Sequence, residues 1–168
     1  DQDPEQIEVG FFRTDPKQRI TVAVDRHIKD NRPTPLTTTY EDWFETLSRP
    51  DTDTMTKDGP GYMNGPCNGL RRKVNVPYYD FVVIDGDASL DEIGNKTEGA
   101  PSPLAVHTAL TDMDISHHVY TTYSHGSKGN RWRLIVPVRV ESQAQLRAVV
   151  TYIISLLSAQ AKLPVYLT

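Results

Sequence analysis

Several features are scarce in this chain, and each absence excludes a class of protein. Cys67 is the only cysteine, so neither a disulfide framework nor a cysteine zinc site is expected. The most apolar stretch, 148–157, is too short to span a bilayer and contains Thr151, Tyr152 and Ser155. No apolar run near the start resembles a signal peptide. These absences predict a cytoplasmic chain without a membrane partner.

Positive charge is also in short supply. The chain has 18 basic against 22 acidic residues, a formal net charge of −4. Proteins that grip duplex DNA over a large surface are usually basic. The charge therefore argues against a dedicated DNA-binding module. It remains compatible with an enzyme that has a local basic cleft and an acidic metal site.

The length and composition of the chain are typical of one globular domain. With 168 residues, of which 38% are hydrophobic and 24% charged, the chain can bury one real core. We expect a single domain over 1–168. The chain lacks an initiator Met and stops after a strand-like segment, so we also expect it to be part of a longer protein.

The first half of the chain predicts strands, one helix and a long loop. Apolar, β-favouring runs at 7–12 and 20–24 flank a turn-forming segment and predict an N-terminal hairpin. Aromatic and aliphatic residues at helical spacing behind a Thr cap predict a helix over 40–47. Residues 49–69 are rich in Pro, Gly and Asp and predict a loop.

The second half predicts a sheet with helices packed on it. The order after residue 70 is ββαββαβ, which predicts an α+β fold with an RRM-like sheet and an N-terminal strand-rich extension. The pattern of the first of these helices predicts Leu104, Ala105, Ala109 and Leu110 as its inward positions. The predicted strands are 70–76, 81–85, 118–123, 131–140 and 164–168, and the predicted helices are 103–113 and 143–161.

Two carboxylates end the most apolar strand. In the run Val83-Ile84-Asp85-Gly86-Asp87, side-chain alternation places both acids on one face, roughly 7 Å apart along the strand. Carboxylates at that separation can share hard divalent cations, which also bind substrate phosphates. Gly86 leaves room for a close approach of backbone or ligand. The alternative is a polar turn at a strand end, since Asp-Gly favours turns.

A second polar segment suits phosphate binding. Small residues between 124 and 130 let backbone N–H groups face a phosphate, and the two arginines after them share one face of the returning strand. A histidine there can donate to a phosphate or a reacting oxygen. The alternative is a solvent-exposed hairpin with two surface arginines. The candidate nucleotide-binding residues are Ser124, His125, Lys128, Arg131 and Arg133.

Together these segments resemble the archaeo-eukaryotic primase superfamily, in particular the primase-polymerase domains of plasmid, phage and mobile-element replication proteins. The strand ending in Asp-x-Asp, at 82–87, and the Ser-His motif before the strand at 131–137 carry the resemblance. Segments 121–125 and 57–59 add to it, and it spans roughly residues 40–168. Either His125 or Arg133 takes the place of that family's motif-two histidine. The third acid of that family has no counterpart before Thr168.

The resemblance implies a DNA primase and DNA polymerase that transfers nucleotides from nucleoside triphosphates along a DNA template and primer. Asp85 and Asp87 would hold Mg²⁺ or Mn²⁺, and with His125 they form the expected catalytic set. A helicase domain in the same longer chain is an expected partner. Arg71, Arg72 and Lys73 are candidate template contacts, with a solvated edge strand as the alternative.

Two rival functions stay open at this point. One is a replication-initiator nuclease; it would need a His-x-His pair, which the chain lacks, although Tyr152 lies on a predicted helix. The adjacent His117 and His118 point to opposite faces and cannot easily chelate one ion. The other rival is a non-catalytic RRM-like nucleic-acid-binding domain, which would require exposed strand aromatics, and Tyr120 and Tyr123 match that pattern poorly.

Overall fold

The computed structural model describes residues 14–27, 29–49, 61–87, 100–122 and 130–159. These residues form an α+β structure, as predicted. The chain divides into two compact units; unit 2 contains 14–82 and 137–146, and the described residues of unit 1 come from 83–136 and 147–159. In chain order the elements are β1 (Arg19–Val24), β2 (Thr34–Thr39), α1 (Tyr40–Ser48), β3 (Tyr62–Met63), a 3₁₀ turn (Lys73–Asn75), β4 (Val82–Gly86), α2 (Pro103–Asp112), β5 (His118–Thr121), β6 (Trp132–Val136) and α3 (Gln143–Ala159).

Unit 2 is built on a sheet with the order β2-β1-β3. Strand β1 pairs with β2 antiparallel, Arg19 opposite Thr39, so the observed hairpin joins 19–24 to 34–39. The partner predicted for β1, segment 7–12, lies outside the described residues. The Thr39 side chain accepts from the Asp42 N–H and caps α1, which confirms the predicted helix and its start.

The core of unit 2 includes a buried acid. Asp80 is 7% exposed, and its Oδ2 accepts from the Thr21 N–H at 2.7 Å. The Tyr40 hydroxyl donates to the Asp80 carbonyl oxygen. Burial raises the pKa of the Asp80 carboxyl, while the Thr21 N–H opposes the rise. Asp80 therefore ties β1 and α1 to the chain just before β4.

One predicted strand of unit 2 is wrong. Segment 70–76 contains a 3₁₀ turn at Lys73–Asn75, because Asn75 closes the segment on itself: its N–H donates to the Arg72 carbonyl, and its side-chain amide donates to the Leu70 carbonyl. Val74 is 86% exposed, so no apolar side chain anchors the segment to a sheet at that point. Local side-chain bonds of Asn compete with strand pairing in this way.

Unit 1 contains a sheet with the order β4-β6-β5. Strands β5 and β6 pair antiparallel, with His118 opposite Ile135 and Tyr120 opposite Arg133. Trp132 is fully buried and its indole N–H donates to the Pro101 carbonyl at 2.7 Å. The predicted strand over 81–85 is confirmed as β4, in which Val82 and Ile84 are buried; among the described strands β4 lies at one end of the sheet order.

The two predicted later helices are confirmed as α2 and α3. The Ser102 side chain caps α2, and Pro103 occupies its first turn. The inward set of α2 is partly wrong, because Leu104 is 71% exposed whereas Val106 and Leu110 are fully buried. The predicted strand at 164–168 lies outside the described residues.

Among the described residues, no helix is long and apolar enough to cross a membrane.

Candidate functional site

Strand β4 ends in the predicted acidic pair. The burial pattern of β4 alternates, with Ile84 and Gly86 buried and Asp85 exposed between them. Asp87 follows directly and is half-buried. Asp85 and Asp87 therefore lie on the same side of the strand. That side is the more solvent-accessible one, where carboxylates can meet a ligand.

Gly86 sits between the acids because a tryptophan packs against it. A Cβ atom at position 86 would lie 2.2 Å from Cε2 of Trp132 and 2.3 Å from its Cδ2. The close approach expected at Gly86 is therefore made by the Trp132 indole, not by backbone or ligand. Trp132 is thus a core residue that fixes the spacing of β4 and β6.

The acids of β4 are paired with the two predicted arginines. Arg133 Nε donates to Asp85 Oδ1 at 2.7 Å, and Arg131 Nη1 donates to Asp87 Oδ2 at 2.7 Å. The side chains of Asp85 and Arg133 are 52% and 36% exposed, and those of Asp87 and Arg131 are 33% and 17% exposed. The adjacent strands thus bring the two predicted acids together with two of the five predicted nucleotide-binding residues. We call these four residues the Asp–Arg face.

Two aromatic side chains continue this face on the next strand. Tyr120 lies opposite Arg133, and directly paired residues project to the same side of a sheet. His118 lies two residues before Tyr120, and their rings stack at 5.8 Å between centroids. Across the sheet, the order of side chains is therefore carboxylate, guanidinium and aromatic ring.

The adjacent histidines have different neighbours, in line with their predicted divergence. His117 contacts His107 of α2, with 2.7 Å between His107 Nδ1 and His117 Nε2. The other nitrogen of His117, Nδ1, contacts the Ile115 carbonyl oxygen. Burial lowers the pKa of both His117 and His118, so the neutral imidazole is favoured at each. His107 was not anticipated from the sequence, since it belongs to a helix that only the fold brings alongside.

Among the described residues, Asp85 and Asp87 are the candidate ligands for a metal ion. Across the described part of the chain, no group of three or more His, Cys, Asp or Glu side chains converges to hold a metal ion. Two carboxylates on one face nevertheless suit Mg²⁺, which is bound in proteins by one or two carboxylates together with substrate phosphates and water. The donor set therefore fits a cation that arrives with a phosphorylated ligand.

The remaining predicted site residues fall in other places. Ser124, His125 and Lys128 lie outside the described residues, as do Tyr123 and segment 57–59. Arg71, Arg72 and Lys73 belong to unit 2, and Arg71 forms an ion pair with the buried carboxylate of Asp25. Tyr152 is half-buried on α3.

Sequence reasoning missed two acids of unit 2. Asp25 and Asp30 are 1% and 7% exposed. Asp30 accepts from the Arg26 and Arg32 N–H groups at 3.0 Å each, and from Arg26 Nε at 3.1 Å. These bonds, the one from the Arg26 backbone first, lower the pKa of Asp30 to about 2. The Asp-Arg and Asp-x-Arg spacings at 25–26 and 30–32 were the available signal.

No protein-family model, curated protein or solved structure was found to match this chain.

Proposed function

We propose that the chain is a metal-dependent nucleotidyltransferase, a DNA primase-polymerase that extends a DNA primer from nucleoside triphosphates. The observation that carries the proposal is the Asp–Arg face, in which two carboxylates and two guanidiniums alternate across adjacent strands. Phosphoryl transfer needs cations to neutralise charge and basic side chains to hold phosphate oxygens. Carboxylates and arginines on one surface supply the protein ligands for both.

The pairs must exchange partners for this chemistry. Asp85 and Asp87 would release their arginines and bind Mg²⁺ or Mn²⁺, while Arg131 and Arg133 would turn to triphosphate oxygens. The bound cation would neutralise phosphate charge and activate the attacking 3′-hydroxyl. The Asp85–Arg133 pair is solvent-accessible, and exposed ion pairs typically contribute no more than about 1 kcal/mol, so opening it costs little. The Asp87–Arg131 pair is more buried, so it would open only when the cation and the phosphate replace both partners.

Charge balance makes the exchange cooperative. A divalent cation alone would bring positive charge beside Arg131 and Arg133, and a triphosphate alone would bring negative charge beside Asp85 and Asp87. When both arrive, each charged group of the Asp–Arg face has an opposite partner. We therefore expect nucleotide and cation to strengthen each other's binding.

Primer extension tests the proposal. Asp87→Asn keeps the size of the side chain but removes its charge, and it should lower Mn²⁺-dependent nucleotide incorporation at least about 100-fold, because an essential ligand is lost. Asp112→Asn, an exposed aspartate at the end of α2, is the matched control and should retain activity. Incorporation by Asp87→Asn at the wild-type rate would refute the proposed site.

A second candidate function has one observation in its favour. The stacked rings of His118 and Tyr120 share the sheet face of Arg133, and RRM-type domains stack bases on strand aromatics. Under this alternative, the wild type would bind single-stranded nucleic acid without incorporating nucleotides. Tyr120→Ala would then weaken that binding, and Asp87→Asn would leave it intact.

A further inference from the structure

We propose that unit 2 carries a separate binding surface for the phosphate backbone of single-stranded DNA. It consists of six basic side chains from two segments that are distant in sequence. We call it the basic patch: Arg26, Lys29, Arg32, Arg71, Arg72 and Lys73. Binding of backbone phosphates requires neither Asp85 nor a metal, so the inference stands apart from the proposed catalytic function.

The fold places the two segments of the basic patch together. The Arg71 N–H donates to the Asn31 carbonyl oxygen at 2.8 Å. The Arg71 guanidinium contacts the Asp25 carboxylate, and the Asp25 N–H donates to the Gly61 carbonyl. A backbone bond and an ion pair thus join residues 25–32 to residues 71–73, and basic side chains of both segments share one region of the surface.

The cations of the patch are exposed and its acids are buried, and two of the six cations, Arg26 and Arg71, pair with those acids. All six basic residues are exposed; the Arg26 side chain is 78% exposed and that of Arg71 41%. The two carboxylates in these segments belong to Asp25 and Asp30, whose side chains are 1% and 3% exposed. The acids hold the loop from beneath, while the cations face solvent. The surface is locally positive in a chain whose formal net charge is −4.

A clustered set of exposed arginines and lysines on an acidic protein fits a polyanion. Arginine binds phosphate oxygens through a planar fork, and each phosphate neutralised releases counterions, which favours binding at low salt. Val74 follows Lys73, is 86% exposed and offers apolar contact to sugars or bases. The spread of cations over two segments suits several successive phosphates of a strand better than one small anion.

Fluorescence anisotropy with a labelled oligothymidine, in EDTA and without nucleotide, tests the basic patch. The test variant is Arg72→Glu with Lys73→Glu, both exposed positions on the 3₁₀ segment. We expect at least about a tenfold loss of affinity at low salt. The slope of log K against log salt should fall by about 0.7 for each phosphate that the variant no longer neutralises.

The control makes the same change in net charge at two residues that do not belong to the basic patch. Lys17→Glu with Arg147→Glu alters two exposed residues and should keep affinity within about twofold. Thermal melting should be unchanged in both variants. Equal decreases of affinity in the two variants, or wild-type affinity in the test variant, would overturn the proposal. So would a test variant that no longer binds phosphatidylserine vesicles but keeps its affinity for DNA.

The result is independent of catalysis. Because the titration contains EDTA, a chain that incorporates no nucleotide still gives a clear answer about the basic patch. Conversely, if the chain incorporates nucleotides but substitution of Arg72 and Lys73 does not change its DNA affinity, the proposed function would stand and the basic patch would be refuted.

Discussion

Each of the two units contains two Asp–Arg ion pairs, but the aspartates are buried in unit 2 and accessible in unit 1. In unit 2 the side chains of Asp25 and Asp30 are 1% and 3% exposed, and their arginines reach into solvent. In unit 1 the acids are accessible, Asp85 at 52% and Asp87 at 33%. A buried carboxylate depends on its partners, because its own hydration is lost. An accessible one can exchange partners with water or a ligand.

This difference separates the structural role of the unit 2 acids from the chemical role proposed for those of unit 1. Asp25 and Asp30 hold a loop and leave cations at the surface, whereas Asp85 and Asp87 present their own oxygens. The same residue types therefore predict a framework in one unit and a ligand site in the other. Burial, which neither motif reveals, decides between them.

The largest stability effect that distinguishes the pairs is expected from Arg71→Ala. It leaves the buried Asp25 carboxylate without its counterion, and a buried charged group left without its partner costs about 3 kcal/mol. The matched variant Arg133→Ala leaves the Asp85 side chain, which is 52% exposed, and should cost under about 1 kcal/mol. Urea unfolding measures both. Equal decreases in the free energy of unfolding would break the comparison between the two units.

A smaller effect is expected from Gly86→Ala. The added methyl would collide with the Trp132 indole, and overpacking of this kind costs about 2 kcal/mol. The displacement of β4 from β6 should also lower nucleotide incorporation. A double-mutant cycle with Trp132→Val checks the cause, because the methyl should cost much less once the indole is gone. An unchanged cost would mean that Trp132 is not the obstacle.

The smallest effect on the free energy of unfolding is expected when the pH is lowered and Asp30 becomes protonated. The pKa of Asp30 is lowered from 3.8 to about 2 in the folded chain, so its ionised form stabilises the fold at any pH well above 4. That contribution is lost as the pH falls from about 4 to about 2. Asp30→Asn should therefore flatten the acid side of the stability curve, measured by urea unfolding at several pH values. Asp112→Asn should leave the curve as in the wild type.

Much of the fold was predictable because its signals are local. The Thr39 cap followed by helically spaced aromatics indicated α1, and the uninterrupted apolar run indicated β4. The 3₁₀ turn at 73–75 was not predictable in this way, because the bonds of Asn75 override a β-favouring pattern. The pairing of β1 with β2 was also missed. Thr34–Thr39 is largely exposed and has little apolar alternation to reveal it.

The candidate site was only partly readable from the sequence. Side-chain alternation along β4 placed Asp85 and Asp87 on one side of the strand. The same rule placed Arg131 and Arg133 on one side of theirs. That each acid meets one arginine depends on β6 lying beside β4, which is a property of the sheet order. The contact of His107 with His117, and the Asp25–Arg71 pair that joins the basic patch, likewise arise from tertiary structure alone.

The partner exchange at the Asp–Arg face is tested most directly by calorimetric titration of a deoxynucleoside triphosphate, with and without Mn²⁺, into the wild type and Asp85→Asn. We expect the wild type to bind nucleotide at least about tenfold more tightly with Mn²⁺, and Asp85→Asn to lose that enhancement. The account would be contradicted if Mn²⁺ did not change the nucleotide affinity of the wild type, or if Asp85→Asn showed the same enhancement as the wild type.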